Sequence, residues 1–224
     1  VFFPSHRHET QAPELPALER PAVLLFTKTN GYRHHDAIAA GVPALEAIAK
    51  HNGWHVFHTE NGAVHEPALL ARFDAVVWFQ VSGDVLSEPQ RAALRGWIEQ
   101  GGGFVGVHNA GGDLSYDWEW YGRDLIGAQF IGHIMRPQFQ QAPAVADDGA
   151  HPATQRLPAE FLHVEEWYSF AASPRDRGAR ILLRVDETTY EPEGWGGELR
   201  MGDDHPVVWS HCVGRGRAFY SALG

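Results

Sequence analysis

Histidine and glutamate recur in this sequence at points where the backbone is about to turn. His34 and His35 follow the apolar run Ala22 to Thr27, and His108 follows Phe104 to Val107. Glu165 and Glu166 stand side by side ahead of Trp167 and Tyr168. Imidazole moves protons near neutral pH and ligates divalent metals. A carboxylate ligates the same ions, orients a ligating histidine or acts as a general base. Of these residues His108 is the best placed. Gly101, Gly102 and Gly103 make a tight turn, Phe104, Val105 and Val107 read as a strand covered on both faces, and Asn109 to Gly112 let the chain turn away sharply. Ligands of open α/β sheets bind beyond the carboxyl ends of the strands, so an imidazole there has little packing reason to be present. His34, His108 and Glu166 are candidate proton-transfer groups. Spaced histidine and glutamate also suit a divalent ion such as zinc or manganese with an open coordination position. The chain has no HExxH or CxxC pair, so spacing alone does not establish a metal.

A second cluster joins Trp118, Trp120 and Tyr121 to Asp113, Asp117 and Glu119. Rings that stack on sugar CH faces, beside carboxylates that accept from hydroxyls, suit a carbohydrate. A helix packed on a core suits the same pattern nearly as well. Adjacent strand residues face opposite sides, so one of Glu165 and Glu166 reaches a given site; Glu166 is the choice, with Tyr168 on its face.

The elements that must position these groups alternate. Strands are expected at Ala22 to Thr27, Trp54 to Thr59, Asp74 to Gln80 and Phe104 to Val107. A helix between the first two starts at Asp36 as N-cap, shows Ile38, Val42, Leu45 and Ile48 on one face, and ends at His51-Asn52-Gly53; Pro43 interrupts it. A short helix follows near Pro67 to Arg72. Ser87-Glu88-Pro89-Gln90 caps another, with Leu94, Trp97 and Ile98 as its apolar face. This βαβαβαβ order implies a parallel sheet with right-handed crossovers. The second half is less regular, with a helix over Trp118 to Ile126 and strands at Gln138 to Ala142, Val164 to Ser169, Ile181 to Val185, Val207 to His211 and Ala218 to Leu223. Residues 1–20 read as an extended arm and residues 21–224 as a single domain.

Composition narrows the classes of function. The 224 residues carry a formal net charge of -10, which argues against nucleic acid or an anionic membrane as the main partner. No apolar run approaches the roughly 20 residues that cross a bilayer. Cys212 is the sole cysteine, so an internal disulfide is excluded. The compartment is cytoplasmic, or periplasmic or secreted if a leader preceded Val1, and a homo-oligomer is left open.

Several stretches, in order, make the chain similar to ThuA-like (trehalose-utilisation) proteins, a branch of the class I glutamine amidotransferase-like superfamily. They are Tyr32-Arg33-His34-His35-Asp36-Ala37-Ile38, Gly102 to His108, Gly127-Ala128-Gln129-Phe130 up to His133, and His151-Pro152 through Leu157-Pro158. Glu165-Glu166-Trp167-Tyr168, Asp186-Glu187-Thr188-Thr189-Tyr190 and Pro206 to His211 with Gly214 to Tyr220 complete the series. The resemblance implies a flavodoxin-like three-layer sandwich with a mostly parallel central sheet. It adds His133 to the metal set and Tyr32, Arg33, Asp113, Trp118, Trp167 and Tyr168 as substrate-binding residues. It also implies an enzyme of bacterial carbohydrate metabolism acting on trehalose-like or 3-keto glycosides, by glycosidic cleavage or proton abstraction. A non-catalytic sugar-binding module and a histidine-based amide or ester hydrolase are the alternatives. In amidotransferase relatives the turn after the central strand presents a cysteine; His108 stands there in this chain, which removes thiol chemistry. The family more often has Asp-Glu where Glu165-Glu166 stands.

Overall fold

The computed structural model describes residues 5–114 and 116–224. The chain divides into two compact units, residues 1–117 with 212–218 and residues 118–211 with 219–224. The first four residues of the expected arm lie outside the described residues; from residue 5 to 20 the arm has neither helix nor strand.

The first unit is the alternating half. Its elements are β1 (Ala22–Phe26), α1 (His35–His51), β2 (His55–Thr59), α2 (Pro67–Leu70), β3 (Ala75–Phe79), α3 (Glu88–Glu99) and β4 (Gly103–Val107). The strands lie in the order β2-β1-β3-β4, each neighbouring pair parallel and in unbroken register. α1 begins at His35 with His34 as N-cap, not at Asp36, which sits in the first turn. Pro43 lies inside α1 without ending it. The buried face of α1 runs Ile38, Val42, Leu45 and Ala49, packed on Leu25, Val77, Phe79 and Val107. Ile48 is 53% exposed; at about 100° per residue it lies roughly 80° from the Ile38 direction, outside that stripe. Gly41 sits where a Cβ would meet the Phe79 ring, so only glycine lets helix and strand close there. The expected Ser87 capping box opens α3.

The arm is tied to this unit by a buried cation. Lys28 Nζ, 7% exposed, donates to Glu9 Oε2 at 2.6 Å and to the carbonyls of Arg7 and Val85. Glu9 Oε2 also accepts from Gly62 N–H at 2.7 Å. His65 is fully buried beneath, its Nδ1 donating to Gly62 O at 3.1 Å and its Nε2 accepting from Trp78 Nε1 at 3.1 Å. Burial, reinforced by the Lys28 charge and only partly opposed by the Gly62 hydrogen bond, pushes the His65 pKa down to about 3. The unfolded chain therefore takes up a proton near pH 6.5 that the folded chain refuses. Stability is expected to fall by about 1.4 kcal/mol per unit as pH drops from 6.5 toward 3. Side-chain NMR should find His65 neutral at pH 4.5; a midpoint near 6 would contradict this.

The second unit contains a π-helical turn (Tyr121–Ile126) and the strands β5 (Phe130–His133), β6 (Gln140–Ala146), β7 (Glu160–Glu165), β8 (Tyr168–Phe170), β9 (Arg180–Val185), β10 (Glu193–Gly194), β11 (Gly197–Glu198), β12 (Pro206–Val213) and β13 (Gly216–Ser221). β12–β9, β9–β6 and β6–β7 pair antiparallel, and β5 pairs β8. Trp209, Tyr220 and Phe170 make the ring core, with Trp209 Nε1 donating to Ile126 O. The expected helix over Trp118 to Ile126 is present from residue 119, winding as a π-helix over Tyr121–Ile126. The expected strand Val164 to Ser169 is two strands, interrupted at Glu166 and Trp167. β12 and β13 each contribute residues to both units. In the first unit Arg217 N–H donates to Gly102 O, at the start of β4. The fold is thus mixed α/β with a large central sheet, parallel through β2-β1-β3-β4.

Candidate active site

At the carboxyl ends of the parallel strands the first unit assembles an imidazole pair. His108 is 2% exposed and adopts φ 51, a left-handed conformation rare outside glycine and asparagine. Holding it there costs on the order of 1 kcal/mol. The His34 ring meets the His108 ring edge-on at 4.9 Å between centroids, and Tyr32 meets His34 at 4.8 Å. The loop that carries Tyr32 and His34 is held by its own backbone: Tyr32 O accepts from Ser82 Oγ at 2.6 Å and from Asn109 Nδ2 at 3.0 Å. Asp113 Oδ2 accepts from Gly83 N–H, and Gly83 at φ 75 leaves no room for a Cβ against the Gly31 backbone. Tyr32 is 62% exposed. Arg33 points away from this pair, bridging Glu60 Oε1 at 2.7 Å and Thr29 Oγ1 at 3.1 Å.

In the second unit Glu166 lies in the break between β7 and β8, 4% exposed. Its Oε2 faces His133 Nδ1 at 3.2 Å and Gln138 Nε2 at 3.4 Å; His133 Nδ1 also lies 2.9 Å from Ile134 O. A histidine whose Nδ1–H is committed to acceptors presents Nε2 as its lone-pair nitrogen, the arrangement common among metal-ligating histidines. Glu165 is equally buried but structural, accepting from the N–H groups of Glu166 and Gly224. Strand alternation does not separate the two carboxylates, because the strand ends at Glu165; their partners do.

Trp167, expected to bind substrate, packs in the core. It is fully buried, its Nε1 donates to Gln140 O at 2.9 Å and its ring packs on Tyr190. Tyr168 packs against Phe130 and His133. Trp118 is half-buried and stacks on Tyr121 at 16°. His151 shapes a turn through Ala153 N–H. His211 donates from Nε2 to Asp124 O at 2.9 Å, and burial holds its pKa below the usual range.

A buried pair went unassigned by sequence reasoning. His205 Nδ1 lies 2.6 Å from Glu187 Oε1 and its Nε2 2.7 Å from Tyr168 O, with His205 wholly buried. Glu187 also accepts from the N–H groups of Met201 and Gly202. Glu187 sat within a quoted motif; nothing local marked His205 as its partner, since 18 residues separate them.

A mixed α/β sheet, parallel through β2-β1-β3-β4 and with a buried, left-handed histidine at the end of β4, defines a flavodoxin-like fold. Within that class the chain belongs to the ThuA family: a family model described as trehalose utilisation matches residues 22–224. Among solved structures it is similar to a ThuA-like protein from Bacteroides uniformis, with TM-score 0.76 and 24% identity over 95% of this chain and 85% of that one. A ThuA-like protein from Parabacteroides merdae gives TM-score 0.65 and 19% identity over 92% and 80%. A β-galactosidase from Rahnella sp. R3 gives TM-score 0.56 and 16% identity over 92% of this chain but 29% of that one. These likenesses are of fold. No curated protein matches the sequence.

Proposed function

We propose that this protein processes a trehalose-like or 3-keto glycoside, with His108 and Glu166 as proton-transfer groups and His34 stabilising developing oxyanion charge. The observation that carries the reading is the His34–His108 pair at the strand ends, beside the exposed ring of Tyr32. A buried imidazole kept in a costly backbone conformation is common at functional sites, and an exposed phenol face suits the CH face of a pyranose. A carbonyl at C3 acidifies the C2–H bond. A modest base then removes that proton to give an enolate; as the enolate collapses, the C3 carbonyl reforms, a C1=C2 double bond is made, and the C1–O bond breaks with its electron pair going to the aglycone oxygen, which takes a proton from a general acid. Ordinary glycosidases protonate an unactivated leaving group with paired carboxylates; a keto sugar needs less.

His34, His108, His133 and Glu166 are proposed donors for zinc or manganese. Their chemistry fits: imidazole and carboxylate suit both ions, and His133, whose Nδ1 faces Glu166 Oε2 and Ile134 O, is placed to orient that carboxylate. Such an ion, when bound, would polarise the substrate carbonyl. The test is incubation of trehalose and 3-ketotrehalose with the wild type and with His108→Ala and Glu166→Gln, beside elemental mass spectrometry of each. Turnover lost in both variants, with near-stoichiometric metal reduced in His108→Ala, is the expected result. Turnover of every glycoside unchanged in both variants would sink the mechanism. Sugar binding without consumption would leave a binding module.

A further inference from the structure

Gln80 carries a cost that the fold does not offset. Its side chain is fully buried, yet among the described residues neither Oε1 nor Nε2 has a hydrogen-bond partner. Buried amides are almost always paired, and an orphaned one calls for an explanation. The backbone at Gln80 is strained as well, at φ 57. Among the described residues the only other non-glycine with positive φ is His108.

The two positions are structurally equivalent. β3 and β4 are in register through Phe79 and Val107, so Gln80 and His108 are the next residue on each strand, and Gln80 N–H donates to Val107 O. Ser82, two residues after Gln80, and Asn109, the residue after His108, both hold Tyr32 O and so build the loop that presents Tyr32 and His34. Gln80 adds nothing to that scaffold. A side chain that lowers stability through both backbone and amide, and makes no hydrogen bond in return, stands at the ligand end of the parallel strands.

We propose that Gln80 is a ligand-binding residue of the His34–His108 site, its amide receiving a hydroxyl of the sugar. A primary amide has one acceptor and two donors, and a hydroxyl offers the matching donor and acceptor on one oxygen. Away from bulk water such a pair is stronger than at the surface. This inference rests on the carbohydrate reading.

The experiment compares wild type, Gln80→Met and Gln80→Asn by thermal unfolding without ligand and by calorimetric titration with trehalose and 3-ketotrehalose. Methionine keeps the side-chain volume and removes the unpaired groups. Its melting temperature should rise by about 2–4 °C while affinity for the bound probe falls about tenfold. Asparagine tolerates the left-handed backbone but draws the amide back by one carbon. It should lose affinity at an unchanged melting temperature, and if the methionine variant fails to fold its affinity decides the matter: undiminished affinity in Gln80→Asn overturns the proposal. A Gln80→Met melting temperature that falls or stays level would mean that packing or a buried water already satisfies Gln80, and the proposal is wrong. A rise with undiminished affinity would equally overturn it. A wild type that binds neither probe defeats the carbohydrate reading itself, and this inference with it; that failure is visible before any variant is made.

Discussion

His108→Ala is expected to reduce turnover of a keto-glycoside by about 10²–10⁴-fold, the range that a positioned acid or base contributes. His108 is buried, left-handed and edge-on to His34. Alanine in that backbone conformation keeps the strain and loses the imidazole, so a stability loss could mimic the kinetic one. His108→Asn separates the two effects, because asparagine visits the left-handed region more readily. It should melt within about 2 °C of the wild type and still be inactive. A His108→Asn enzyme with wild-type kcat would remove His108 from the chemistry, whatever alanine did. Because the residue is assigned to a bond-making step, the loss should appear in kcat more than in KM.

The largest effect on stability is expected at the Glu187–His205 pair. Removing one partner of a buried ion pair costs about 3–5 kcal/mol, since the remaining charge stays buried without its partner. His205→Leu should therefore lower the melting temperature by roughly 10 °C. Glu187→Gln with His205→Leu should be less damaging than the two single changes summed, the signature of a coupled pair. The pH dependence follows from the carboxyl. Burial alone would raise its pKa, but hydrogen bonds from His205, Met201 N–H and Gly202 N–H outweigh burial and hold it below the usual 4.5. The stabilisation is fully present above that unfolded-state value and is lost as pH falls through the lower folded-state value. Acid unfolding below pH 4.5 should accordingly be shallower in Glu187→Gln than in the wild type, as followed by circular dichroism. Identical acid transitions would show that the pair contributes nothing. His205 also holds Tyr168 O, and Tyr168 is in register with His133 across β8 and β5. Loss of the pair therefore loosens the strand that carries His133.

The parallel half was legible because its physics is local. Apolar runs bounded by glycine, a capping box at Ser87 and a 3.6-residue stripe through Ile38, Val42 and Leu45 each state their element within a dozen residues. The same locality placed His34 and His108 at strand ends before any coordinates. Where local signals competed, reading failed. Ile48 sat close enough to the stripe to be counted in it, and the helix read over Trp118 to Ile126 gave no sign that Tyr121–Ile126 would wind as a π-helix. The strand assumed through Glu166 stops at Glu165, so alternation was the wrong rule for telling the carboxylates apart.

By itself, then, the sequence determined the mixed α/β class, the family, the absence of a thiol at the central turn and the histidines at the strand ends, all consequences of short-range pattern and residue type. Only the tertiary structure decided which polar groups are spent and which are not. Trp167 proved to be a core residue because its indole N–H already has Gln140 O; Glu187 was matched to His205 across 18 residues. Gln80 stood out because no hydrogen-bond partner among the described residues reaches its amide. Hydrogen-bond satisfaction depends on groups brought together from distant parts of the chain, and no window of sequence contains them.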